Sequence, residues 1–173
     1  MESAVIIEDL FRAAQNGDTI LMKGKISEHP ELVHTLNNDG LHLLGYAAHF
    51  GQIEAVKLLL DHDADVNELS QSKVSYIPSN TALHAAIAGK RDIEVIRLLL
   101  ERGANTNLYD SNGHTCLHTA AYHNSNEAII RLLLEHGAEL NGRSGGGETA
   151  LAVALEQGNE CIVELLHQLG SKQ

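Results

Sequence analysis

The sequence predicts an all-α solenoid of about five helix–turn–helix repeats carrying β-turn or hairpin fingers, and three observations predict it. First, Leu triplets recur at Leu58–Leu60, Leu98–Leu100 and Leu132–Leu134, with an imperfect fourth at Leu165-Leu166-His167; their ends lie 40, 34 and 33 residues apart. Second, each of the first three triplets is followed seven residues later by an Asn (Asn67, Asn107, Asn141), and those Asn are followed by Thr81, Thr115 and Thr149 at 14, 8 and 8 residues. The long first interval is therefore a six-residue insertion between Asn67 and Thr81. Third, Gly103, Gly137 and Gly170 close the second apolar segment of successive units, as expected of left-handed helix ends. Self-similarity at this period means stacked supersecondary units sharing one core.

The elements follow in order within each unit. Thr81, Thr115 and Thr149 precede apolar-periodic segments and are suited to N-capping, the hydroxyl accepting from a backbone N–H that the first turn leaves free. A short first helix follows, with Leu83, Leu117 and Leu151 expected in the core and small Ala86, Ala120 and Ala154 letting neighbouring helices approach. A turn leads to a second helix with an apolar face such as Val95, Leu98 and Leu99. Asp63 takes the Gly position in one unit, a residue that tolerates the left-handed region less well. A finger turn then ends at Gly113 or Gly147. The resulting units run over about 4–37, 38–69, 70–108, 109–141 and 142–173, forming one domain over 1–173.

These motifs resemble the ankyrin repeat. Thr81-Ala82-Leu83-His84-Ala85-Ala86 and Thr115-Cys116-Leu117-His118-Thr119-Ala120-Ala121 are similar to that family's T-P-L-H-x-A-A. Gly103-Ala104-Asn105-Thr106-Asn107 and Asp63-Ala64-Asp65-Val66-Asn67 resemble G-A-D-x-N, and Asp39-Gly40 and Asp110-Ser111-Asn112-Gly113 resemble its D-x-x-G turn. The match recurs from about residue 37 onward; Ala13–Gly17 is a divergent copy of Ala47–Gly51, and Glu28–Val33 looks like the opening of small bacterial members. His42-Leu43-Leu44-Gly45 departs from the motif, lacking both the capping Thr and the His, and Ala152 replaces that His in the last unit.

Composition bounds the function. Twelve Lys and Arg against 23 Asp and Glu leave a net charge of −11, which argues against nucleic acid and anionic membranes, because phosphate binding needs a basic footprint. It permits a basic protein partner. No apolar run approaches the ~20 residues that span a bilayer. Cys116 and Cys161 form no CxxC pattern, which together with the acidic first residues leads to the expectation of a cytoplasmic protein, and a monomer is expected.

Three groups of residues suggest chemistry. His114, Cys116, His118 and His123 suggest a metal cluster, but the resemblance gives His118 a structural hydrogen bond between repeats and Cys116 the motif's Pro position, so no metal and no cofactor are expected. Gly142–Thr149 has phosphate-loop spacing, yet Glu148 stands where Lys is required. Asp61, Asp63 and Asp65 lack the Gly and the closing Glu of an EF-hand. No Gly-x-Ser-x-Gly elbow or His-Glu-x-x-His occurs, so no enzyme is expected.

The resemblance implies a non-catalytic protein–protein interaction module whose partner docks on the concave surface of finger tips and exposed first-helix positions. By register the candidate partner-binding residues are His49, Phe50, Tyr76, Ile77, Asn112, His114, Tyr122 and His123. Exposed aromatics are enriched among interface anchors. Ala88 and Gly89 are expected to leave a recess between His49/Phe50 and Tyr122/His123, which the enlarged finger around Tyr76 either closes over or fills itself. The alternative function is an acidic, immunity-type inhibitor occupying the basic active site of a toxin or nuclease.

Overall fold

The computed structural model describes residues 2–89, 92–123 and 126–171. Its described helices pair in chain order: α1 (Glu2–Asn16) with α2 (Thr19–Glu28), α3 (Leu43–His49) with α4 (Ile53–Asp61), α5 (Ala82–Gly89) with α6 (Ile93–Glu101), α7 (Cys116–Tyr122) with α8 (Glu127–Glu135), and α9 (Ala150–Glu156) with α10 (Glu160–Gln168). The odd-numbered helices stack on one another as one layer and the even-numbered ones as a second. No described segment forms a sheet; the fingers contribute only isolated bridges, Leu36 with His42 and Arg143 with Thr149. This is an all-α repeat solenoid.

The helices start and stop where side chains satisfy their backbone ends. Thr149 Oγ1 accepts from Ala152 N at 3.2 Å, and Thr115 forms a reciprocal capping box with His118. His42, which lacks the hydroxyl, caps nothing with its side chain. Gly103, Gly137 and Gly170 adopt φ of 90°, 88° and 87°, and Asp63 adopts 64°, the one described non-glycine with positive φ. Two of the eleven histidines close helices from the other end: His62 Nδ1 and His136 Nδ1 donate to the carbonyls of Leu58 and Leu132, at 2.9 and 3.0 Å.

The core is a single aliphatic column between the layers. Leu83, Leu117 and Leu151 are buried beside Ala86, Ala120 and Ala154, and the second helices add Val95, Leu99, Ile130, Leu133 and Leu166. Burying each such aliphatic side chain contributes roughly 1.5–3 kcal/mol. Because aromatics are scarce, the column's thickness is set by Leu and Ala, and Phe11 is the one aromatic ring among its buried described residues.

Two polar ladders lock successive units. His84 Nδ1 accepts from Thr81 Oγ1 at 2.8 Å while its Nε2 donates to the His114 carbonyl at 3.0 Å; His118 repeats this with Thr115 (2.7 Å) and the Glu148 carbonyl (2.9 Å). The Asn that serve as rulers in the sequence form the second ladder. Asn67 Nδ2 donates to the Gly103 carbonyl at 3.1 Å and its Oδ1 accepts from Asn105 N at 2.8 Å; Asn107 does the same with Gly137 and Glu139, at 2.8 and 3.0 Å. Each Asn thereby satisfies a donor and an acceptor at the next helix end.

Candidate functional site

The fingers are held to one another by backbone hydrogen bonds. Gln71 N and Lys73 N donate to the carbonyls of Gly40 and Asp39 (2.8 and 2.9 Å), Ser111 N to that of Ser79 (2.9 Å), and Gly145 N to that of Gly113 (2.8 Å). Gly40 is demanded here: at φ 77° a Cβ would lie 1.9 Å from the Gln71 carbonyl oxygen. In the first finger the turn's acceptor is Asn37, whose Oδ1 takes the N–H groups of Asp39 and Leu41, as Asp110 Oδ1 takes those of Asn112 and His114. The resemblance placed Asp39 in the turn motif; the geometry gives that task to Asn37. The Asp39 carboxylate is left without a hydrogen bond or ion pair among the described residues.

The six-residue insertion makes a hairpin-like finger. Ser70 N donates to the Asn80 carbonyl at 3.0 Å, Ser72 N to Ser79 Oγ at 3.0 Å, and Ile77 N to the Val74 carbonyl at 3.0 Å. These bonds hold the stem and leave Tyr76 at the tip, 84% exposed.

Between this finger and the inner helices lies a groove of about 590 Å³. All eight residues singled out in the sequence line it: His49 and Phe50 from the end of α3, Tyr76 and Ile77 from the long finger, Asn112 and His114 from the next finger, and Tyr122 and His123 from the end of α7. Tyr46, which the register reading passed over, joins them. Its ring lies 5.1 Å from Phe11 and 5.0 Å from Phe50, and its hydroxyl donates to Gln15 Oε1 at 3.2 Å. The signal was present, since Tyr46 is one of only six aromatics, but its position points it along the inner face rather than at the helix end.

The recess expected at Ala88 and Gly89 forms only in part. Ala88 lines the groove, whereas a Cβ on Gly89 would stand 2.1 Å from the His49 carbonyl oxygen. Gly89 thus lets α5 close on α3, and the opening lies over Ala85 and Ala88 instead. The long finger does not fill it; the groove stays open beneath the exposed Tyr76.

Within the His/Cys set, Cys116 and His118 serve the fold. Burial pushes the Cys116 thiol far above its ordinary value, and the thiol is fully enclosed. Burial also lowers the pKa of His118, favouring the neutral ring whose Nε2–H reaches Glu148, and likewise that of His84. The His114 and His118 rings stack with centroids 5.9 Å apart. Among the described residues no group of three or more His, Cys, Asp or Glu is arranged to hold a metal, and no helix is long and apolar enough to cross a membrane.

Comparison with known proteins identifies the repeat family. A family model described as "Ankyrin repeats (3 copies)" matches residues 10–110 and again 87–173. The chain is 35% identical over 108 residues to ankyrin repeat and SAM domain-containing protein 6 of Rattus norvegicus, covering 62% of this chain and 11% of that protein. It is 36% identical over 107 residues to the E3 ubiquitin-protein ligase hecd-1 of Caenorhabditis elegans (61% and 4%). An ankyrin repeat protein of Borreliella burgdorferi is 30% identical over 80 residues (46% and 18%). The chain therefore spans less than a quarter of the length of each of these relatives.

Proposed function

From a chain that belongs to the ankyrin-repeat family, we propose a non-catalytic protein–protein interaction module that docks its partner in the concave groove between the long finger and the inner helices. The observation that carries the reading is convergence: side chains from several units, chosen only by register, share one open groove in which Tyr76 and Tyr122 are 84% and 49% exposed. Leaving such rings in water forgoes the stabilisation they would gain by burial, and rigid aromatics anchor interfaces at low entropic cost. Function here resides in the variable surface, since the scaffold is shared by proteins as different as a SAM-domain protein and a ubiquitin ligase.

The test is photo-crosslinking. A photoreactive amino acid placed at Tyr122, on the groove, or at Arg131, on the exposed face of α8, is irradiated in an extract of the native host. The same discrete adduct from Tyr122 and none from Arg131 supports the reading. Adducts from Arg131 alone move the interface to the outer layer and sink it.

A further inference from the structure

The groove's lining combines two chemistries. Tyr46, Phe50, Ile77, Ala85 and Ala88 supply its apolar surface. Its charged lining residues are Asp39, Asp65, Glu68 and Asp110, and no described Lys or Arg lines it. Two of these acids are engaged in the fold: Asp110 Oδ1 holds the finger turn, and Asp65 Oδ1 accepts from Asn67 N at 2.9 Å. Asp39 and Glu68 are not used that way. Glu68 stands 3.6 Å from His42 Nε2, a charge pair only when that ring is protonated. Among the described residues the Asp39 carboxylate makes no hydrogen bond or ion pair, and Lys73, whose N–H donates to the Asp39 carbonyl, forms no ion pair with it. The Asp39 charge reaches the aromatic lining, because it joins burial in raising the pKa of the Tyr46 phenol.

Resting on the reading of the groove as the docking site, we infer that its occupant is a cationic segment of a partner protein, one that sets a Lys or Arg side chain against the Tyr46 and Phe50 rings, between the Asp39 and Glu68 carboxylates, and an apolar neighbour over Ala85 and Ala88. Aromatic faces attract a cation through their quadrupole, and flanking carboxylates add Coulomb attraction that the protein's charge of −11 reinforces at long range. A neutral or acidic segment meets the same rings but no complementary charge. Arg suits the site because its planar guanidinium stacks on a ring while forking to a carboxylate.

The experiment selects peptides of about ten residues, ~33 Å when extended, from a random-sequence phage library against the full chain. Enriched peptides are resynthesised, and their affinities are measured for the wild type, Asp39→Asn/Glu68→Gln, the charge-matched outer control Glu54→Gln/Glu101→Gln, and Ala88→Arg. The inference expects Lys or Arg beside apolar residues in the enriched peptides. It expects binding to weaken about fivefold or more in Asp39→Asn/Glu68→Gln and to stay within about twofold in the control, a gap larger than screened surface charges give. Enriched peptides without a cationic excess overturn it, as does equal weakening in both charge variants or no enrichment at all. Ala88→Arg separates the two levels. Neutral peptides that it blocks leave the groove as the docking site and remove only the cation; peptides of any charge that it leaves unaffected remove the groove as well. Circular dichroism confirms that each variant keeps the wild-type helix content.

Discussion

Replacing His118 with Ala tests the polar ladder that joins the last three units. The wild-type ring is 1% exposed and makes two short bonds, to Thr115 Oγ1 at 2.7 Å and to the Glu148 carbonyl at 2.9 Å, beside a longer one from Thr115 N at 3.3 Å. Each such bond contributes about 0.5–1.5 kcal/mol net, so their loss alone costs roughly 1–3 kcal/mol. The substitution also unpairs the Thr115 hydroxyl and empties the ring's volume, which raises the expected loss to about 2–4 kcal/mol. The assay is urea unfolding followed by far-ultraviolet circular dichroism at pH 7.5, with the slope checked so that the midpoint reports stability alone. A loss inside about 0.5 kcal/mol, the range of ordinary surface changes, would mean that the ladder does not carry stability and that the reasoning from these bonds is wrong. Chelator should leave the wild-type transition where it is; a fall would revive the His114/Cys116/His118/His123 set.

Burial lowers the pKa of His84 and His118 in the folded chain, so the unfolded chain binds more protons as pH drops below about 6.5; their contribution is present above that value and is lost as pH falls through it towards the folded value. Melting temperature should therefore fall between pH 7.5 and 5.5, and His84→Ala/His118→Ala should flatten that slope; an unchanged slope would contradict the assignment. Leu117→Ala should cost about 2–5 kcal/mol in urea unfolding, since the side chain is 1% exposed in the shared core. Gly40→Ala should destabilise more than Gly137→Ala, because both add a Cβ at positive φ but only the first drives it into a neighbouring carbonyl; equal midpoints would refute the finger packing. Asn107→Ala should cost about 1–3 kcal/mol by freeing the Gly137 carbonyl and the Glu139 N–H, and calorimetry would show no shift if that ladder is ornamental.

Period and punctuation carried the fold because they are one-dimensional. Leu triplets mark the buried stripe, Thr marks helix starts, and Gly marks left-handed ends, each through chemistry local to a few residues. The six-residue excess between Asn67 and Thr81 likewise located the enlarged finger before its hairpin was seen. What the sequence withheld depends on how far one unit slides over the next. Asn67 and Asn107 were visible as rulers, but only stacking brings their amides to Gly103 and Gly137. Gly89 looked like an opening, yet the approach of α3 puts the His49 carbonyl in the space a Cβ would take. Asp39 matched the turn motif by type, while Asn37 two residues earlier occupies the turn's acceptor position and releases that acid to the groove. Register named the residues at the groove's ends and passed over Tyr46 in its wall.

Docking in the concave groove is tested by dissociation constants for a purified partner. These are measured by calorimetry against the wild type, Tyr76→Ala, Tyr122→Ala and the outer-layer variant Arg131→Ala. Each Tyr variant should lose at least about fivefold in affinity, equivalent to ~1 kcal/mol, with melting temperatures held and Arg131→Ala within about twofold. Normal binding by both Tyr variants, with binding abolished by Arg131→Ala, would contradict docking in the groove.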